Sequence, residues 1–150
     1  MAKLFITGKE LQFFNSINKE LIQRIIGQEI TYYHVSIEKT VVNELYNEAI
    51  EKVVYQPVLL NALILYNAPE QTSTNFTVDT VYSIEVYMHI HELEERNIKP
   101  REGDFVKFGE VMYEVATLTQ PQITFGQIEN MVMWKATCTI ARESNFKIET

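Results

Sequence analysis

The segment from Pro100 to Leu118, PREGDFVKFGEVMYEVATL, constrains this chain more than any other. Gly103-Asp104 stands between a Pro/charged run and an apolar one, and Gly109 follows only four residues of strand-forming sequence; both are turn signals. The spacing predicts two short strands that bring Phe105, Val106 and Phe108 opposite Val111, Met112, Tyr113 and Val115. A lone hairpin is at best marginally stable in water, so further strands have to cover it.

The 150 residues read as a single domain, 1–150, long enough to bury roughly two thirds of the unfolded surface. The one cysteine, Cys138, has no internal partner, so the fold does not lean on an oxidising compartment. At the N-terminus, MAKLFITGKELQFF offers too short an apolar run for a signal peptide or a membrane span. A soluble protein that folds in a cytosol is expected. The net charge of −7 opposes a phosphate backbone at long range, which argues against tight nucleic-acid binding. The same repulsion suits a wall past which DNA must slide.

Along the chain, Met1 to Ile6 reads as an arm or a short edge strand. Thr7 and Glu10 have capping-box spacing, with Asn15 or Ser16 as a second possible helix start. Leu11, Phe14, Ile17, Leu21, Ile22 and Ile25 recur at steps of three and four, and Gly27 is placed to end the helix in the left-handed conformation. A helix from about Lys9 to Ile26 follows. Glu29 to Val35, EITYYHV, predicts a strand. Ser36 to Gln56 is ambiguous: Val41, Val42, Leu45, Tyr46, Ala49, Ile50 and Val53 repeat with helical spacing, yet two β-branched pairs and two asparagines weaken a helix. A long excursion ordered partly by partners is the competing reading.

Beyond Pro57, VLLNALILY suits a strand buried on both faces, followed by a polar loop from Ala68 to Phe76. Thr77 to Ile90 is the longest strand candidate, and HELEERN at 91–97 resembles one or two helical turns. After the hairpin come a loop from Thr119 to Asn130, a strand from Met131 to Arg142 and a loosely ordered tail, 143–150. One helix and six or seven strands without a βαβ rhythm predict a mainly β (α+β) fold, a small antiparallel barrel or sandwich.

Motifs that carry chemistry are sparse. His89 and His91, with Glu92 and Glu94 nearby, are the one metal-like grouping, but no third ligand has motif spacing. Cys138 sits mid-strand without flanking residues that would expose a nucleophile. Glu92, Glu94 and Glu95 form a consecutive acidic run, which reads as a wet helix face rather than a nuclease site. Catalytic, cofactor-binding and metal residues are therefore all left unassigned. Tyr32, Tyr33, Tyr82, Tyr87 and Tyr113 could stack single-stranded nucleic acid on a barrel, but no lysines or arginines are interleaved with them.

The order FFNSINKELIQRIIGQ, ITYYHV, ELYNEAIEKVVYQP, VLLNALIL, VYSIEVYMHIHELEERN, REGDFVKFG and YEV, from about Phe13 to Arg142, resembles the neck proteins of tailed bacteriophages. These are head-completion or head-tail connector proteins, especially of contractile-tailed phages. The resemblance implies a virion protein rather than an enzyme, folded in the host cytoplasm and forming a homo-oligomeric ring, commonly of six. Its partners would be the portal and adaptor ring on the head side and the tail terminator or tail tube on the tail side, with double-stranded DNA passing through and no membrane involved. Stopper proteins among these relatives close the channel with a long loop, here matched by 36–56, with Val41, Val42, Leu45, Tyr46 and Ile50 as candidate channel residues. Phe13, Phe14 and Ile17 are candidate ring contacts, or else cap the barrel's own core. The alternatives are a tail-terminator ring and a single-stranded nucleic-acid-binding barrel.

Overall fold

A computed structural model describes residues 7–36, 41–43, 45, 48–119, 132–141 and 146–148. Helix α1, Gly8–Glu20, starts at the expected capping box: the Thr7 side chain accepts from the Glu10 amide at 3.4 Å while the Glu10 carboxylate accepts from the Thr7 amide at 2.9 Å. Its continuation, Leu21–Ile26, is wound as a π-helix, and the Gly27 amide donates to the Ile22 carbonyl at 3.0 Å. Gly27 closes it in the left-handed conformation, φ 59°.

Eleven strands occur among the described residues: β1 (Glu29–Tyr33), β2 (Val41–Asn43), β3 (Glu48–Val54), β4 (Val58–Tyr66), β5 (Glu70–Ser73), β6 (Val78–Val81), β7 (Ser83–His89), β8 (Phe105–Phe108), β9 (Val111–Thr119), β10 (Met133–Ile140) and β11 (Phe146–Ile148). A second helix, α2 (Ile90–Glu95), follows β7. Six strands close an antiparallel barrel in the order β1-β4-β7-β10-β9-β8. The expected hairpin forms within it, with Val106 opposite Tyr113 and Phe108 opposite Val111.

The core follows from period-2 alternation. Leu60, Ala62 and Ile64 of β4 point inward, as do Ile84, Val86 and Met88 of β7. Strand β4 is thus buried on one face, not both: Leu59 and Leu65 on its other face stay exposed, because the barrel has a single interior and no layer covers them. On the outside of the barrel, Lys135 of β10 pairs with Glu85 at 3.0 Å and the Tyr87 hydroxyl donates to the same carboxylate at 2.9 Å. Those two bonds hold the Glu85 carboxyl below its ordinary range.

Antiparallel pairing gives the barrel two rims. One gathers the ends of β1, β7 and β9 with the starts of β4, β8 and β10; the other gathers the ends of β4, β8 and β10 with the starts of β1, β7 and β9. From the first rim, between β1 and β4, rises an arm: β3 pairs antiparallel with β2 and parallel with β11. From the second, between β4 and β7, rises a hairpin of β5 and β6 that pairs with no other strand among the described residues.

Several expectations change accordingly. The described part of 36–56 is extended rather than helical, since β-branched pairs favour strands once a partner is present. The supposed polar loop 68–76 contains β5, and the long strand 77–90 is two, β6 and β7, parted at Tyr82. The supposed loose tail contributes β11, which the arm recruits as a third strand. Residues 1–6, 120–131, 142, 143–145 and 149–150 lie outside the described residues.

Leu60 and Leu59 are neighbours in one strand with 2% and 51% of their surface exposed. Leu60→Ala is expected to cost about 2–5 kcal/mol and Leu59→Ala under about 1 kcal/mol. Urea denaturation with an unchanged slope measures both.

Candidate assembly surfaces

The arm is rooted on a buried carboxylate. At the turn before β8, Gly103 adopts φ 91°, a conformation that favours glycine, and its amide donates to the Val115 carbonyl at 2.8 Å. The next side chain, Asp104, is thereby turned into the protein, where it is 1% exposed. Four donors meet it: the Tyr32 hydroxyl, the His34 Nδ1 at 2.9 Å, the Val35 amide at 3.0 Å and the Arg101 amide at 3.0 Å. Burial, with the Asp104 charge beside it, holds the Tyr32 hydroxyl far above its ordinary range, so it remains a donor.

The network extends outward through His34. Its Nε2 lies 2.7 Å from Nη2 of Arg101, which also donates to the Val35 carbonyl at 3.0 Å. A guanidinium can only donate, so Nε2 accepts and the His34 proton sits on Nδ1, toward Asp104. Tyr55 stacks on the His34 ring at 6.1 Å. The two ends of the arm are tied across this point, with the Ser36 amide on the Val53 carbonyl at 2.7 Å and the Tyr55 amide on the His34 carbonyl at 2.8 Å. Sequence reasoning saw Gly103-Asp104 as a turn and passed over the carboxylate. The available signal was a Tyr-x-His pair on a strand, which gives two donors on one side.

On the same rim, the acidic run is divided by its surroundings. Glu92 is buried, and its carboxylate accepts from the Asn61 amide at 2.9 Å and from Gln23 Nε2 at 3.1 Å, tying α2 to β4 and to the π-helical turn. Glu95 pairs with Lys19 of α1, and Glu94 lies 3.4 Å from Nδ1 of the exposed His91. His89 caps α2, its Nδ1 accepting from the His91 amide at 3.2 Å, and its buried Nε2 meets no hydrogen-bond partner among the described residues. Among the described residues no three His, Cys, Asp or Glu side chains are grouped to hold an ion. Cys138 is buried, and burial pushes its thiol up to about 12.

Besides Leu45 on the arm, Leu59 and Leu65 on the outer face of β4 and Tyr66 at its end, exposed apolar side chains gather on α1 and on the β5–β6 hairpin. Along α1 and its π-helical turn, Phe13, Ile17, Leu21 and Ile25 are 69%, 48%, 40% and 73% exposed, while Phe14 is half-buried and Ile22 alone is buried. The helix therefore does not cap the barrel core with Phe13 and Ile17. At the opposite rim, Phe76 is 95% exposed at the turn of the β5–β6 hairpin, with Val78 exposed beside the turn and Tyr82 exposed at the base. A cleft of about 620 Å³ separates that hairpin from β9 and β10, lined by Val81, Tyr82 and Ile140 with the carboxylates Asp79 and Glu114.

Of the candidate channel residues, Val41 and Val42 fall in β2, Ile50 falls in β3 and Leu45 is exposed in the turn between them; Tyr46 lies outside the described residues. The structure thus gathers these positions on the arm. It does not gather the five tyrosines on one surface: Tyr32, Tyr33 and Tyr113 are buried, Tyr87 is half-buried and Tyr82 is exposed. No helix among the described residues is long and apolar enough to cross a membrane.

Burial, with His91 and Lys19 nearby, lowers the His89 pKa to about 4. Between an unfolded value of about 6.5 and that folded value, the unfolded chain binds a proton that the folded chain refuses, so stability is full above about pH 6.5 and falls toward pH 4. The expected loss from this group by pH 4.5 is about 2–3 kcal/mol. His89→Asn can still cap α2 and should flatten that part of the decline. Urea midpoints of both proteins at pH 7 and 4.5 check it. Comparison with protein-family models and with curated proteins finds no match to this chain.

Proposed function

We propose that this chain is a structural subunit that assembles with copies of itself into a ring in the neck of a tailed bacteriophage. The ring joins the portal and adaptor on the head side to the tail and helps retain the genome. The reading draws on the order of sequence elements that resembles neck proteins. One structural observation carries it: the stretch matching a stopper loop is a separate arm, whose root is held by a buried carboxylate with four donors.

A closed barrel satisfies its own strand edges, so association has to use what projects from it. The arm supplies one projection and the exposed helix stripe another. Rings arise from such unlike surfaces when the rotation between copies closes. The charge of −7 suits a channel that DNA crosses without sticking.

Light scattering across a concentration series tests the reading. A closed ring is expected, alone or after mixing with portal complexes. A protein that stays monomeric, ignores portal and tail components and is retarded by single-stranded DNA overturns it.

A further inference from the structure

Two surface features are unlike each other and cannot meet within one molecule. Helix α1 packs beside α2 through the Lys19–Glu95 pair, and α2 follows the end of β7. The β5–β6 hairpin precedes the start of β7, so a strand of seven residues, about 20 Å, lies between them. One feature is a convex apolar stripe and the other a cleft.

We propose that α1 of one copy seats its stripe in the cleft between the β5–β6 hairpin and the β9–β10 rim of the next copy. This deepens the ring reading and rests on it, naming the two surfaces that meet. Phe13 to Ile25 spans about 18 Å of helix, and their exposed apolar area is roughly 400 Å², as large as the largest such patch on an ordinary monomer. The receiving cleft presents Val81, Tyr82 and Ile140 beside the polar Asp79, Thr80, Glu114 and Thr139, a mixed lining that offers an amphipathic helix an apolar strip with a polar margin.

Charge favours this occupant. The hairpin carries Glu70 and Asp79 and no basic residue. The helix and its π-helical turn carry Lys9, Lys19 and Arg24 against Glu10 and Glu20, a small positive balance in a chain that is acidic as a whole, with Lys19 paired to Glu95 and Arg24 to Glu20. Pairing two stripes across a two-fold axis would instead leave the cleft unused. A two-stranded hairpin is marginal alone, so covering it also supplies the packing that it lacks.

Cross-linking tests the contact, because buried Cys138 can stay in place while new cysteines are added at exposed sites. Ile17→Cys and Val81→Cys variants are mixed and oxidised. The mixed dimer should exceed either self-pair several-fold, and Ile17→Asp should raise the concentration needed for assembly at least tenfold with an unchanged urea midpoint. An intact ring in which I17C pairs with itself overturns the proposal and leaves the ring standing. So does an intact ring that forms no cross-link and is indifferent to Ile17→Asp. A monomer at every concentration, with or without portal complexes, overturns both the contact and the ring.

Discussion

The Asp104 carboxylate is the constraint on which the rest of the structure depends. A charge taken out of water costs several kcal/mol unless donors replace the water, and here all four come from two separate parts of the chain. Tyr32, His34 and Val35 lie at and just beyond the end of β1, and Arg101 lies just before β8. One charge therefore does two jobs. It fastens β1 to the turn that opens β8 at the seam where the barrel closes, and it holds the root of the arm. Arg101 adds a second clasp through His34 and the Val35 carbonyl.

A similar economy operates at α2. Buried Glu92 satisfies a backbone amide of β4 and a glutamine of the π-helical turn, so one side chain fixes two helical segments against the barrel wall. Residues that looked like candidate ligands in sequence thus bind the protein to itself. The exposed apolar side chains stand apart from these networks, on the helix stripe and the hairpin among other places.

Much of the fold was legible in the sequence. The capping box at Thr7, the stop at Gly27 and the turns at Gly103 and Gly109 are local signals, and each is read by a backbone group within a few residues. The alternation in β7 was equally plain, because its two faces meet different surroundings. Less legible were elements whose state depends on distant partners. The stretch 41–54 carries a helical period, yet its described residues form β2, a turn at Leu45 and β3, since β3 lies between β2 and β11 and its backbone bonds are met across strands. The strand β5, Glu70–Ser73, is polar and exposed throughout, and no periodicity distinguishes such a strand from a loop. The Asp104 network was invisible because its members stand about seventy residues apart and look ordinary one by one. Of the candidate contact residues, Phe13 and Ile17 are exposed, which spacing alone did not decide.

The pairing of β11 with β3 sets an order on synthesis. Strand β3 emerges early, but its parallel partner is made roughly ninety residues later, and contacts so distant in sequence form late because loop closure opposes them. The β1–β8 seam that roots the arm is also long-range. A nascent chain can therefore hold a formed helix and part of the barrel wall while its arm is still unfinished. The third strand of the arm is thus the last of the described elements that the chain supplies, made only after every strand of the barrel.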